Sequence, residues 1–211
     1  MFEICGHSVP NFLPTLSIRI LLQLPVSAQL KASGSSLHLI LQQLLTSSTK
    51  NMGVKSFINE LETKISPGRL FKALITESPE IVPKFNKPIK SIEIVEGHGF
   101  GVGCIFLTHF NEGLPFKYVK HRIDEIDTQN YVCKYTLIEG DVLGDKLEKI
   151  CHELRLEASA DGGCVLKSKA ELHAKAGVEL DDEEIKAGKE QALNVYKACE
   201  EYLAANPHVC A

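Results

Sequence analysis

Tyr118, Tyr135 and His152 recur on alternating, strand-like runs of this 211-residue chain, and Gln191 lies on a helical run beyond them. A hydroxyl, imidazole or amide taken out of water without a partner costs about 1 to 3 kcal/mol. Several such groups on one inward face point to a wet or ligand-filled pocket. Pockets of this kind enclose roughly 300 to 1,000 Å3 and present a few convergent polar groups among apolar walls. The chemistry on offer is non-covalent recognition, in which hydrogen bonds orient a guest and apolar burial holds it. Cys133, two residues before Tyr135, shares its face and has His152 as its one candidate base. The plainer reading of Cys133 is a small buried hydrophobe.

Strand periodicity nominates the rest of the wall. If Tyr135 points inward, Cys133 does too, and the next strand contributes His152, Leu154 and Leu156. Phe106, Thr108 and Phe110 line an earlier strand, with Phe116 and Tyr118 beyond its turn and Leu74 at the base. Leu166, Ser168 and Ala170 come from the last strand, and Gly188, Gln191 and Val195 from the final helix. Ordinary core packing explains the apolar members equally well. The polar ones discriminate.

Glu96 to Gly103 read Glu-Gly-His-Gly-Phe-Gly-Val-Gly, placing Gly97, Gly99, Gly101 and Gly103 at every second position. A phosphate cradle needs a strand before its glycines and a helix after them. Here Cys104 to Phe110 follows with strand alternation, and Val102 stands where a G-x-G-x-x-G motif from Gly97 needs glycine. The segment therefore reads as a hairpin loop.

Strand-like alternation covers 54–62, 89–95, 104–110, 116–123, 130–139, 147–157 and 165–173. Ser66-Pro67 and Ser78-Pro79 each read as a Ser N-cap with Pro at the first helical position, giving two short helices after the first strand. The turns Asn111-Glu-Gly-Leu-Pro115 and Ala160-Asp-Gly-Gly163 join neighbours directly, so the sheet is antiparallel and the class α+β, in the order β-α-α-β-β-β-β-β-β-α. The final helix starts near Asp181, whose spacing to Glu184 suggests a capping box, and runs to about Ala204. Ile185, Gly188, Ala192, Val195, Cys199 and Tyr202 form its inner face. The small residues there leave room against a curved sheet, and that room is the expected site.

A net charge of -4 and a pI near 6.1 give no basic footprint for nucleic acid. Seven scattered cysteines lack C-x-x-C spacing and eight histidines lack H-E-x-x-H, so neither a disulfide framework nor a metal site is expected, and no cofactor. Residues 1–51 are acid-poor and Ser-rich. Their apolar stretch from Phe12 to Leu30 is broken by Pro14, Arg19 and Pro25, too short for a membrane span. They read as a leader with no part in the fold, disordered or loosely helical, ahead of a ligand-binding domain at 52–211.

The segments Gly53-Val-Lys-Ser-Phe, Arg69-Leu-Phe-Lys-Ala-Leu, Pro115-Phe-Lys-Tyr-Val-Lys120, Ile138-Glu-Gly140, Asp161-Gly-Gly163 and Glu201-Tyr-Leu203 resemble the major birch pollen allergen and the plant pathogenesis-related class-10 proteins, over residues 52–211. The resemblance implies a helix-grip (START-like) fold: a seven-stranded curved antiparallel sheet around a long C-terminal helix, with two short helices, enclosing a hydrophobic cavity. It also implies a monomer or weak dimer in the cytoplasm, with the nucleus as a second location, that binds a hydrophobic small molecule such as a flavonoid, steroid or cytokinin in plant defence or stress. Three alternatives accompany it. One is a protein phosphatase as partner, as for the related abscisic acid receptors, although Leu143-Gly-Asp145 lacks their His-Arg-Leu latch. The others are phenolic or alkaloid coupling, and weak ribonuclease activity. Family members carry lysine where this chain has Phe106, threonine at Cys104 and a second tyrosine at Cys133, so its pocket is expected to be less cationic and to favour neutral ligands. Phe100 replaces a loop glycine and should stiffen the loop.

Overall fold

The computed structural model describes residues 53–211; the reading of residues 1–51 as a leader lies outside them. Among the described residues the order is β1 (Val54–Thr63), α1 (Pro67–Phe71), a π-helical turn (Lys72–Thr76), α2 (Ser78–Phe85), β2 (Ile89–Glu96), β3 (Ile105–Phe110), β4 (Tyr118–Asp127), β5 (Val132–Gly140), a 3-10 turn (Asp141–Leu143), β6 (Leu147–Ala158), β7 (Cys164–Ala174) and α3 (Asp182–Ala205). The seven strands form one antiparallel sheet in the order β1-β7-β6-β5-β4-β3-β2. The long connection from β1 to β2 carries the two short helices, and this is what lets β1 pair with β7. Register irregularities interrupt β2 against β3 twice, β4 against β5 twice, and β6 against β7 once. Each adds local twist, so the sheet curves.

Two capping expectations need correction. Ser78 is the first residue of α2, not its cap, and its hydroxyl donates to the Ile75 carbonyl at 2.7 Å. Asp181 caps α3 by accepting from the Glu183 amide at 2.9 Å, while Glu184 takes the Lys146 ammonium at 2.6 Å instead of closing a capping box. Three acids in the first turn of α3 complement the positive end of its dipole.

The main core gathers Leu70 and Phe71 of α1, Ile81 of α2, Cys133, Leu154, Leu156 and Leu166 from the sheet, and Cys199 and Leu203 of α3. Arg69 ties this end together. Its guanidinium donates to the carbonyls of Leu203, Asn206 and Val209 at 3.0 to 3.1 Å, satisfying the last turn of α3 and the tail beyond it. A second cluster, Val119, Leu137 and Leu143 with Phe110, Leu147 and Ile150 against it, sits toward the opposite ends of β4 to β6. The backbone of α3 runs close along β1 and meets α1 and α2, and its approach to the other strands is at most glancing. The far half of the sheet therefore curves away from the helix.

Candidate ligand site on the inner face of the sheet

Cross-strand register fixes which side chains share the inner face. Leu156 opposes Leu166, Leu154 opposes Ser168, and His152 opposes Ala170 on β7; on β5, Cys133 opposes Leu154 and Tyr135 opposes His152. Leu154, Leu156, Leu166 and Cys133 belong to the core that holds α3, so this parity is the inward one. Phe106 and Thr108 continue it on β3 opposite His121 and Val119, and Phe110 packs on the second cluster with Phe116 edge-on at 4.6 Å. Leu74, from the π-helical turn, packs against the main core.

Between the two apolar clusters lies a polar row that brings together three rings. Tyr135 and His152 stack with centroids 4.8 Å apart and planes at 17°, and His121 stands edge-on to both, at 5.5 and 6.2 Å. Every fully shielded side-chain nitrogen or oxygen among the described residues has a hydrogen-bond partner. None of these three rings has a hydrogen-bonding partner among the described residues, so their polar atoms face accessible space. Burial lowers the pKa of His152 to about 4 and, with repulsion from His152 added, that of His121 to about 3. Burial also raises the Tyr135 hydroxyl well above its ordinary value. At neutral pH the row is uncharged, and it offers both donors and acceptors.

Nearer the helix, Asn59 is buried and donates to the Lys189 carbonyl at 3.1 Å, anchoring β1 to the N-terminal half of α3. Tyr196 is raised by burial, against an opposing hydrogen bond with Ser168. Gly188 precedes Cys199 by eleven residues, which at about 100° per residue leaves it within roughly 20° of the same direction. Cys199 is fully buried, yet Gly188 is exposed. The N-terminal half of α3 has no fully buried residue, while its C-terminal half sets Cys199 and Leu203 into the core. A methyl at Gly188 would meet only the Phe57 ring edge, at 3.7 Å.

Two expected wall residues lie elsewhere. Tyr118 sits on the outer face, because Val119 and Ile123 are the buried members of β4 and Tyr118, Lys120 and Arg122 alternate with them. Its hydroxyl donates to Glu139 at 2.9 Å, beside the Lys120 to Glu139 ion pair, and that hydrogen bond raises its pKa. Gln191 is exposed, about 80° around α3 from Cys199. Val195 is half-buried, about 40° from that line. The residue that sequence reasoning missed is His121, and the charges at Lys120 and Arg122 were the available signal for its parity. Replacing Tyr118 by Phe should accordingly leave ligand affinity unchanged within about twofold in a fluorescence titration.

The glycine loop joins β2 to β3 as expected of a hairpin. Gly97, Gly99 and Gly103 adopt positive φ and Gly101 does not. Phe100 stacks on Phe106 at 4.9 Å and the Cys104 thiol donates to the Gly99 carbonyl at 2.9 Å, two contacts that hold the loop against β3. Two clefts open away from the polar row. One of about 550 Å3 lies at the β3–β4 turn, lined by Leu114, Pro115, Tyr118, Glu139 and Asp141. The other, of about 370 Å3, lies between Lys90, Glu93, His109 and Lys117. Neither is the space expected beneath the helix at Gly188 and Ala192. No group of three or more metal-binding side chains occurs among the described residues, and no helix among them is long and apolar enough to cross a membrane.

Comparison with known proteins places this architecture. The pathogenesis-related protein STH-2 of Solanum tuberosum is 48% identical over 160 residues, covering 76% of this chain and all of the potato protein. The crystal structure of Ara h 8.0201 superposes with a TM-score of 0.66 at 36% identity, over 73% of this chain and 100% of that one. Norcoclaurine synthase from Thalictrum flavum, solved in complex with dopamine and hydroxybenzaldehyde, shares the fold at 20% identity and a TM-score of 0.57, over 85% of this chain and 98% of that one. A model of the pathogenesis-related protein Bet v 1 family matches residues 52–206, and the chain belongs to that family.

Proposed function

We propose that this protein is a defence-related binding protein that holds a neutral, hydrophobic small molecule between α3 and the inner face of β3 to β7. The observation that carries this reading is the row of His121, Tyr135 and His152, without hydrogen-bonding partners among the described residues and set between two apolar clusters. Aromatic faces and apolar walls would bury the skeleton of a ligand, and the row would orient one or two of its hydroxyls. Burying about 200 Å2 of apolar ligand surface at about 25 cal/mol per Å2 contributes roughly 5 kcal/mol before costs, which with the matching protein surface supports micromolar affinity. Binding is favoured over acid-base catalysis, because imidazoles lowered to about 3 and 4 are poor bases at neutral pH.

Titration with a fluorescent flavonol tests this. Saturable micromolar binding is expected, weakened about 3- to 10-fold by Tyr135→Phe, as loss of one modest hydrogen bond dictates. Ala192 lies about 20° from the direction of Cys199 on the loosely packed half of α3. Ala192→Phe should fill the space, cutting affinity more than about tenfold while changing stability by less than about 1 kcal/mol. A loss of several kcal/mol in that variant would mean that the interior is already solid there, and the carrier reading would fail with it.

A further inference from the structure

Six cysteines fall among the described residues, and five of them are buried. Burial raises Cys133 and Cys199 to about 12, and Cys164 and Cys210 to about 11. Against a free thiol near 9, a value of 12 means a roughly thousandfold smaller thiolate fraction, and the thiolate is the nucleophile. Cys104 is buried with its thiol turned to the Gly99 carbonyl.

Cys151 differs in place and company. It is only half-buried and belongs to the outer parity of β6, opposite Thr136 of β5 and Glu171 of β7. Its sulfur lies 3.6 Å from Nε2 of His173 and 3.6 Å from the Thr136 hydroxyl. One hydroxyl proton cannot serve two acceptors, and the 2.5 Å contact from Thr136 to the Asp124 carboxylate claims it. The Cys151 thiol is then the donor in its own contacts, and His173 accepts its proton in the tautomer whose Nε2 is free. His173 is in turn close enough to Glu171 to help hold that carboxyl below its usual range, behind the larger effect of Lys169. No other cysteine among the six has an imidazole at its sulfur.

We propose that Cys151 is a reactive thiol on the outer face of the sheet, with His173 as its base, and that it captures soft electrophiles of the α,β-unsaturated carbonyl class. Nε2 removes the S–H proton, the sulfur lone pair forms a C–S bond to the β-carbon, and the displaced π electrons pass to the carbonyl as an enolate. The imidazolium then returns the proton to the α-carbon. Addition is complete without a leaving group, an oxidant or a second reactant. The site lies on the opposite face from His121, Tyr135 and His152 and stands independently of the ligand reading.

N-ethylmaleimide, itself such an electrophile, is the probe. The native full-length chain is treated near pH 7 with less than one equivalent, digested, and mapped by mass spectrometry, with the Cys5 peptide scored separately because it lies outside the described residues. The Cys151 peptide should carry adduct at least about tenfold ahead of each of the other five, and Cys151→Ser should lose that early adduct while keeping the native circular dichroism spectrum. His173→Ala should slow native labelling of Cys151 about tenfold or more, although removing the ring opens access to the sulfur, and should label at the wild-type rate in denaturant. Equal early labelling of Cys104 or Cys210, or an unchanged native rate in His173→Ala, would overturn the proposal.

Discussion

Acidification from pH 7 to pH 5 should lower the stability of this protein by up to about 4 kcal/mol, roughly 2 kcal/mol for each of two imidazoles. His121 titrates at about 3 and His152 at about 4 in the folded protein, both lowered by burial, against about 6.5 in an unfolded chain. Between those values the unfolded chain binds protons that the folded one refuses, so stability is fully present above about pH 6.5 and declines as pH falls toward 4. The depressed carboxyls act in a different window. Glu139, Asp127 and Glu171 owe their lowered values chiefly to Lys120, Asn130 and Lys169, and their contribution is lost only as pH falls below the ordinary carboxylate range. Urea denaturation across pH 5 to 7.5 measures the slope, and a His121→Gln/His152→Gln double variant should flatten it. A double variant with the wild-type pH profile would show that these rings are not the buried neutral pair described. Ligand affinity should stay level over the same range, since both rings remain uncharged to about pH 5. Stability and binding would then separate with pH, which a general loosening of the fold would not produce.

The parity of β6 and β7 was legible because their outward positions are charged. Glu153, Arg155 and Glu157 alternate with His152, Leu154 and Leu156, and Lys167 and Lys169 with Leu166 and Ser168. The outer ladder ties such groups in pairs, Lys167 to Glu157 and Lys169 to Glu171. On β4 the same rule was available, but an aromatic residue at 118 drew the inner assignment to itself. The register shift between Lys120 and His121 then hid which neighbours face which. An aromatic ring serves either face of a sheet, whereas a run of Lys120 and Arg122 serves only one. In α3 the sequence showed a stripe of small residues without showing where the sheet bends away. That bend depends on bulges in three strand pairs, which leave no local signature, so Gln191 was assigned to a wall that it flanks. The stacked trio itself was partly hidden for the same reason: Tyr135 and His152 follow from strand alternation, and His121 joins them only through the geometry across two strands.

Two adjacent glycines mark the remaining limit of a sequence reading and carry the largest single-site effect expected here. Gly162 and Gly163 look equivalent in the turn after Asp161. Gly162 has a φ of +86° and open space, with nothing within 4 Å of where a methyl would stand, so Gly162→Ala should cost only the strain of a left-handed backbone, about 1 kcal/mol. Gly163 is buried against β1, where a methyl would stand 2.1 Å from the Thr63 carbonyl oxygen and 3.0 Å from the Lys64 Cα. Those are backbone atoms at the last rung of the β1–β7 ladder, Thr63 opposite Cys164, and they cannot turn aside as a flexible side chain would. Relief requires β1 to peel from β7, which exposes Thr63 and Ile65 and pulls on the chain leading into α1. Gly163→Ala should therefore destabilise by about 3 to 5 kcal/mol, read as a shifted urea midpoint, or fail to fold at all. A Gly163→Ala protein as stable as Gly162→Ala would mean that the β7 edge is not closed by β1 in solution, and the sheet that positions the polar row would lose its sixth ladder.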